Sequence, residues 1–388
     1  MTSKHRIIFI FGYIGFLAFL LEGFARLAFS IPQIGKRLEA NEDYTYLRNW
    51  VREHQKSGTA TYYAFDMYDA SKGWIPKPNL KNIKAFDNKI LNTNSKGLRG
   101  KKDFSYAKDK EKFRILILGD SFTFGDEVSD DETYAHYLQE MLPHVEVINM
   151  GVHGYGHDQM LLLFKEERIK YDPDIVILGF LALDMSRNLL RFRDFAKPRF
   201  VLNKGALKLT DTPVPRPEDI LEWDWARPRI VDLFSLMQHR IEKISGLQKK
   251  QMENVTTAIL TDLIRSIESI HAVPILAYLP RGKEIATAIA VNEDEAFMFS
   301  LCQLNEKAKC FSTRPRFAEK IARGERFKSG GHWEPAGHLT VAEAIHRYLV
   351  DGGYVSVPNH LETSPHPPSR TPNHGFIDTS EHSVLSEK

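Results

Sequence analysis

Cysteine is nearly absent from this chain. Only Cys302 and Cys310 occur in 388 residues, and they do not form a C-x-x-C, so zinc-ribbon and thioredoxin-like chemistry falls away. Exported, the two can pair as a disulfide; cytosolic, they are ordinary buried thiols, and geometry decides between these. Excess charge of one sign is also missing: 52 Lys+Arg against 50 Asp+Glu leave +2, which speaks against a nucleic-acid binder. No internal repeat is present, which removes solenoids and propellers. Neither G-x-G-x-x-G nor a P-loop occurs, which disfavours nucleotide binding. With 43% hydrophobic residues, the chain as a whole is not disordered.

Long hydrophobic runs are scarce too, with one exception. Ile7 to Leu21 is unbroken, and the run resumes after Glu22 and Arg26 as far as Ile31. As a helix it crosses about 30 Å of hydrocarbon, with Glu22 and Arg26, four residues apart, paired on one face near the interface. Lys4 and Arg6 resemble the basic start of a signal peptide, but Arg26-Leu27-Ala28-Phe29 offers no small-residue cleavage site. We therefore expect residues 1–32 to form an N-terminal membrane anchor. Lys4 and Arg6 before it are matched by Lys36 and Arg37 after it, so charge bias sets the orientation only weakly.

At the other end, Ser356–Lys388 holds five of the 19 prolines and four of the 15 histidines. Such a segment cannot bury enough apolar surface to offset its ordering entropy, and residues 356–388 read as a disordered tail. Between the ends, short β-rich runs alternate with helical periods. Strands are expected at Arg114–Leu118, Val145–Asn149, Ile175–Leu178, Val273–Tyr278 and Lys309–Ser312. Helices are expected at Thr133–Leu142, Asp158–Lys170, Thr256–His271, Glu293–Lys307 and Pro335–Leu349. Alternation of this kind implies an α/β fold: a three-layer parallel sheet with helices on both faces, preceded by one transmembrane helix. Residues 113–350 form that domain. Residues 33–112 read as a turn-rich lead-in packing on it, and 199–250 as an insertion, with Trp223 and Trp225, which is either a rim of the kind that carries substrate-contacting loops or a solvent-facing elaboration.

Three stretches can carry chemistry. Arg114-Ile-Leu-Ile-Leu-Gly119-Asp120-Ser121 runs an apolar strand into a turn, placing Ser121 at the carboxyl end of a parallel strand, where open α/β sheets build their sites. An isolated Gly-Asp-Ser arises by chance in about one chain in ten of this length, and Ser121 needs a histidine to take its proton. Val147 to Gly156 is a second strand entering a glycine turn, where the Gly154 backbone N–H can face an oxyanion. His153 and His157 read as loop histidines, not metal ligands. Ser329 to His338 opens the last helix, with His332 in the loop before it, placed to act as a general base. Asp120 reads as a cap of the turn that presents Ser121.

In order and type these three blocks resemble the SGNH, or GDSL, hydrolase superfamily over about Phe113 to Leu349. Gly73-Trp74, Asn94–Gly100, Gly119–Gly125 and Pro173-Asp174 look like its bacterial group with one N-terminal membrane helix. The resemblance implies a flavodoxin-like sheet, Ser121 as nucleophile, His332 as base and an oxyanion hole from the Ser121 and Gly154 N–H groups. It also implies acyl-enzyme chemistry on an ester or acetylated carbohydrate, with no cofactor, no metal and no nucleic-acid partner, in a domain on the periplasmic or extracellular side of the membrane.

Two departures stand out. Leu183 is found where the family has an oxyanion Asn, and Ser329 and Gly330 where it has the triad Asp. Losing such a donor costs a factor of about 10² to 10³, and losing the carboxylate about 10⁴. Asn188 and Glu334 are candidate substitutes. The sequence thus supports a membrane-anchored serine esterase or O-acyltransferase, with a catalytically impaired carbohydrate- or acyl-binding protein of the cell envelope as the alternative. Between water and a sugar as acyl acceptor it does not choose.

Overall fold

The five apolar runs form one sheet. A computed structural model describes residues 3–31, 42–57, 62–109, 111–286 and 291–356. The tail beyond Ser356 and the Lys36–Arg37 pair lie outside the described residues. The chain divides into Met1–Tyr348 and Leu349–Lys388. Within the second part, a turn closes as the Tyr354 N–H donates to the Leu349 carbonyl at 2.9 Å.

Helix α1 (Ser3–Ser30) is the apolar run, and its 4–30 portion is long and apolar enough to cross a membrane. Glu22 and Arg26 pair along it at 2.7 Å. Helix α2 (Glu42–Ser57) follows, then two antiparallel hairpins, β1 (Asp66–Asp69) with β2 (Gly73–Pro76) and β3 (Ile83–Ala85) with β4 (Lys89–Leu91).

The sheet begins at β5 (Phe113–Gly119). After it come the one-turn helix α3 (Ser121–Phe124), α4 (Tyr134–Met141), β6 (Val145–Gly151), α5 (His157–Glu166), β7 (Ile175–Phe180) and the short α6 (Leu183–Arg187). The insertion supplies a hairpin, β8 (Arg199–Asn203) with β9 (Ala206–Thr210), and helices α7 (Pro217–Ala226) and α8 (Arg229–Ile244). Helix α9 (Leu247–Glu268), β10 (Val273–Tyr278), α10 (Gly282–Ala286), α11 (Glu293–Leu304), β11 (Lys309–Ser312), α12 (Arg314–Ala322) and α13 (Pro335–Asp351) complete the chain.

All four pairings in the sheet are parallel, in the order β11-β10-β7-β5-β6. Ile115 to Leu118 are fully buried, as befits a strand covered on both faces. Because the chain steps from β5 to β6 and then returns past β5 to β7, right-handed crossovers put α4 and α5 on opposite faces. Accordingly α5 packs on α9, whereas the Tyr134 N–H of α4 meets His338 Nδ1 at 3.3 Å. The expected α/β class and layering are those observed. The helix boundaries that differ most are the start of α9 at Leu247, well before Thr256, and the end of α5 at Glu166, followed by a 3-10 turn at Arg168–Tyr171. Gly246 at φ 73° starts α9, a stop signal that a periodicity search reads as the edge of a loop.

Cys302 and Cys310 are joined as a disulfide between the end of α11 and β11. Trp74 is fully buried and donates to the His153 carbonyl at 3.0 Å, so the lead-in enters the core next to the second glycine turn.

Candidate active site

The sheet's order reverses at β5, whose neighbours β6 and β7 are reached in opposite directions. Residues just past the carboxyl ends of these three strands therefore share one crevice. Its volume is about 720 Å³, and Ser121, Gly154, Leu183 and His332 all line it.

Ser121 opens α3. Asp120, fully buried, caps that turn by accepting the Phe122 N–H at 3.0 Å. It also accepts from Arg187 Nη1 at 2.9 Å, and Arg187 reaches Asp184 at 2.6 Å and the Tyr155 carbonyl at 2.9 Å. One buried guanidinium thus ties the nucleophile turn to the ends of β6 and β7. Burial and the nearby Asp120 push the Asp184 carboxyl well above the ordinary carboxylate pKa.

The glycine turn is locked to the same helix by Asn149, whose side chain donates to the Thr123 carbonyl at 2.7 Å and accepts from the Gly151 N–H at 2.9 Å. A Cβ on Gly151 would sit 2.3 Å from the Phe124 nitrogen. Gly154 has φ 73°, and a Cβ there would meet Asp194 Oδ2 at 2.2 Å. Neither the Ser121 nor the Gly154 N–H has a partner among the described residues, so both are available to an oxyanion.

His332 Nε2 lies 2.8 Å from Ser121 Oγ. Its Nδ1 lies 3.1 Å from Glu127 Oε1. With the proton on Nδ1, that N–H donates to Glu127 and leaves Nε2 to accept from the Ser121 hydroxyl. Glu127 was not among the sequence candidates. It sits at φ 65°, a left-handed conformation unusual for a residue with a side chain. The loop is held by Arg99, 7% exposed, whose guanidinium donates to the Phe124, Gly125 and Val128 carbonyls and to Asp130 at 2.6 Å. Partial burial works to raise the Glu127 pKa, but hydrogen bonds from Lys328 and His332 outweigh it and hold the carboxylate below its ordinary value.

The two candidate substitutes stand elsewhere. Asn188 is fully buried and engaged with Thr256 at 2.8 Å, His157 Nδ1 at 3.3 Å and the Asp158 N–H at 3.1 Å. Glu334 is exposed, and its backbone carbonyl accepts the Gly337 and His338 N–H groups of the last helix. The carboxylate that meets His332 thus comes from 205 positions away and not from Glu334, two places on. Leu183 contributes an apolar wall where the resemblance expects a donor.

Of the two readings open for the insertion, the solvent-facing one fits. No described residue of 199–250 lines the crevice; Tyr63, Phe65 and Phe86 of the lead-in do. Trp223, 61% exposed, borders a separate cavity with α2, and the Trp225 side chain is outside what the structure describes. His153 and His157 are buried. Burial alone would lower the His153 pKa, but Asp66, 2.5 Å from its Nε2, raises it to about 9. His157 heads α5, and burial lowers it to about 3. Asp126 faces the crevice 3.9 Å from His332 Nε2, and burial lifts its pKa to about 6. Among the described residues no His, Cys, Asp and Glu cluster is placed to hold a metal.

No family model matches the chain, and no curated protein matches it. Solved structures do. A two-domain esterase (CEX) active on acetylated mannans, with mannopentaose, is 14% identical with a TM-score of 0.37 over 67% of this chain and 53% of its own. The chain thus spans about half of that protein's length. The acetyl xylan esterase AlAXEase is 15% identical, TM-score 0.37, over 61% of this chain and 100% of its own. A catalytic mutant of an acetylxylan esterase from Geobacillus stearothermophilus is 16% identical, TM-score 0.37, over 63% of this chain and 95% of its own. At such identities and scores the likeness adds no weight to the geometry.

Proposed function

We propose that this chain is an SGNH-type serine esterase or O-acyltransferase, held to a membrane by residues 1–32 and acting on acyl, chiefly acetyl, esters of an envelope carbohydrate or a small ester. The observation that carries the proposal is the line from Ser121 Oγ through His332 Nε2 (2.8 Å) and Nδ1 to Glu127 (3.1 Å). In this reading Ser121 Oγ attacks the ester carbonyl carbon while its proton passes to His332 Nε2. The oxyanion is met by the Ser121 and Gly154 N–H groups. Collapse expels the alcohol, which takes the proton from His332, and leaves an acyl-Ser121. Water or a sugar hydroxyl then gives its proton to His332 and attacks the acyl carbon, and His332 returns that proton to Ser121 Oγ as the acyl–Oγ bond breaks. Glu127 holds the imidazole in place and stabilises its charged form.

The aromatic rim of Tyr63, Phe65 and Phe86 supports a substrate with apolar ring faces, as sugars have. The disulfide supports a location outside the reducing cytosol, with residues 33–112 as lead-in and 113–350 as the catalytic domain. Leu183 favours the alternative of an impaired binding protein, since it withholds one oxyanion donor.

The test uses the full chain in detergent. Wild-type protein is expected to hydrolyse a nitrophenyl acetate and to be labelled by a fluorophosphonate probe, and Ser121→Ala to do neither. Full labelling of Ser121→Ala would overturn the assignment of the nucleophile. Absence of turnover and labelling in the wild type, with retained binding of an acetylated oligosaccharide, would establish the binding protein instead.

A further inference from the structure

Helix α8 turns one side to the body through Asp232 and Leu236, both buried, and a second, apolar side outward. Phe234, Met237, Ile241 and Ile244 are 62%, 53%, 64% and 78% exposed. Their spacing sets them in one line along the helix, and so many large apolar side chains on one exposed strip call for a cover. Arg240 and Lys243, also exposed, fall off that line, so the helix is amphipathic outside its body contact.

What covers the strip follows from Glu22. Its carboxylate accepts the backbone N–H groups of Arg229 and Ile230, each at 3.0 Å, and so satisfies the first turn of α8. Glu22 is also where the unbroken apolar run of α1 stops. Before it the α1 side chains from Ile7 to Leu21 are largely exposed; after it Ala25 and Ala28 are buried while Phe24 and Leu27 stay exposed, so one face of α1 is covered from here on. Helix α8 packs on α1 and starts at the depth where α1 leaves the hydrocarbon. At that depth an amphipathic helix with an exposed apolar side lies in the interface.

We propose that α8 is an interfacial helix, lying in the surface of the bilayer that α1 spans, with Phe234, Met237, Ile241 and Ile244 among the acyl chains. This rests on the reading of α1 as a membrane anchor, and the test separates the two. Because the only cysteines are joined in a disulfide, a single introduced cysteine can carry a fluorophore in the full chain. Phe16→Cys, Met237→Cys, Ile241→Cys and Lys243→Cys variants are labelled and reconstituted into phosphatidylcholine–phosphatidylglycerol vesicles. Quenching by dibrominated acyl chains is compared with quenching by aqueous iodide.

Labels at Met237 and Ile241 are expected to lose more than about half of their emission to brominated lipid and little to iodide, and the label at Lys243 the reverse. Iodide quenching at Met237 and Ile241 equal to that at Lys243, with lipid quenching at Phe16, overturns the inference and leaves the anchor standing. Shielding of both positions from lipid and iodide alike overturns it in favour of a protein cover, a second copy included. Lipid quenching at Met237 and Ile241 but not at Phe16 keeps α8 at the bilayer and removes the anchor.

Discussion

Two segments break the strand-helix alternation, and they are used in opposite ways. The lead-in, residues 62–109, looks like surface chain, rich in turns and charge, yet it buries Trp74 and Arg99 and lends Tyr63, Phe65 and Phe86 to the crevice. The insertion, residues 199–250, has the aromatic and apolar content of a substrate rim, yet it contributes nothing to the crevice and holds Trp223 and the α8 strip outward. Polarity and burial are decoupled here because Arg99 finds carbonyl and carboxylate partners inside, whereas the α8 strip stays more than half exposed among the described residues.

The difference can be broken or sharpened by substitution. Ser121→Ala or His332→Ala should lower kcat by a factor of about 10⁵ to 10⁶, while Trp223→Ala leaves kcat/KM for a soluble ester within about twofold. A large loss at Trp223 would return the insertion to the substrate site. Glu127→Gln should lower kcat by about 10² to 10⁴, with binding little changed, and Glu334→Gln should be neutral in the same assay.

Arg99→Ala removes the donor to four carbonyls, those of Ile90, Phe124, Gly125 and Val128, and leaves Asp130 without its buried partner. A fall of about 3–5 kcal/mol in unfolding free energy is expected in a urea titration, along with lost turnover as the Glu127 loop relaxes. Phe234→Ser, in contrast, should change the same titration by less than about 0.5 kcal/mol.

Between these lies a pH effect from the lead-in. His153 holds its proton more tightly folded, at about 9, than unfolded, so the stabilisation is complete below about pH 6.5 and fades as pH climbs through 9. The fade should amount to roughly 3 kcal/mol at most. Asp126 titrates at about 6 and acts below that window, where its raised pKa favours the fold at acid pH and loses the effect by neutrality. Asp66→Asn should flatten the alkaline fade; an unchanged slope would detach His153 from the lead-in.

The five strands were legible because a strand covered on both faces must be an almost uninterrupted apolar run, as Ile115 to Leu118 shows. The positions of Ser121 at a strand end and of His332 before the last helix were legible because strand-to-turn and turn-to-helix junctions carry local signatures. Glu127 was not. It follows the nucleophile block by two residues, in a dipeptide with Asp126 that any acidic surface loop can carry, and only its left-handed backbone, clamped by Arg99, aims it at His332. Asn188 was misjudged for a related reason: helical spacing brings it near the end of β7, but not which side of α6 it leaves from, and it leaves toward α9.

Local physics in the chain therefore settled the order of strands and helices, the apolar N-terminal helix and the position of Ser121 at a strand end, because each depends on residues within a few places of one another. Which carboxylate meets His332, which segment forms the rim and which side of α8 stays uncovered depended on residues separated by up to 205 positions. Only the packed sheet, by fixing where distant loops meet, brings those groups within hydrogen-bond reach or keeps them apart.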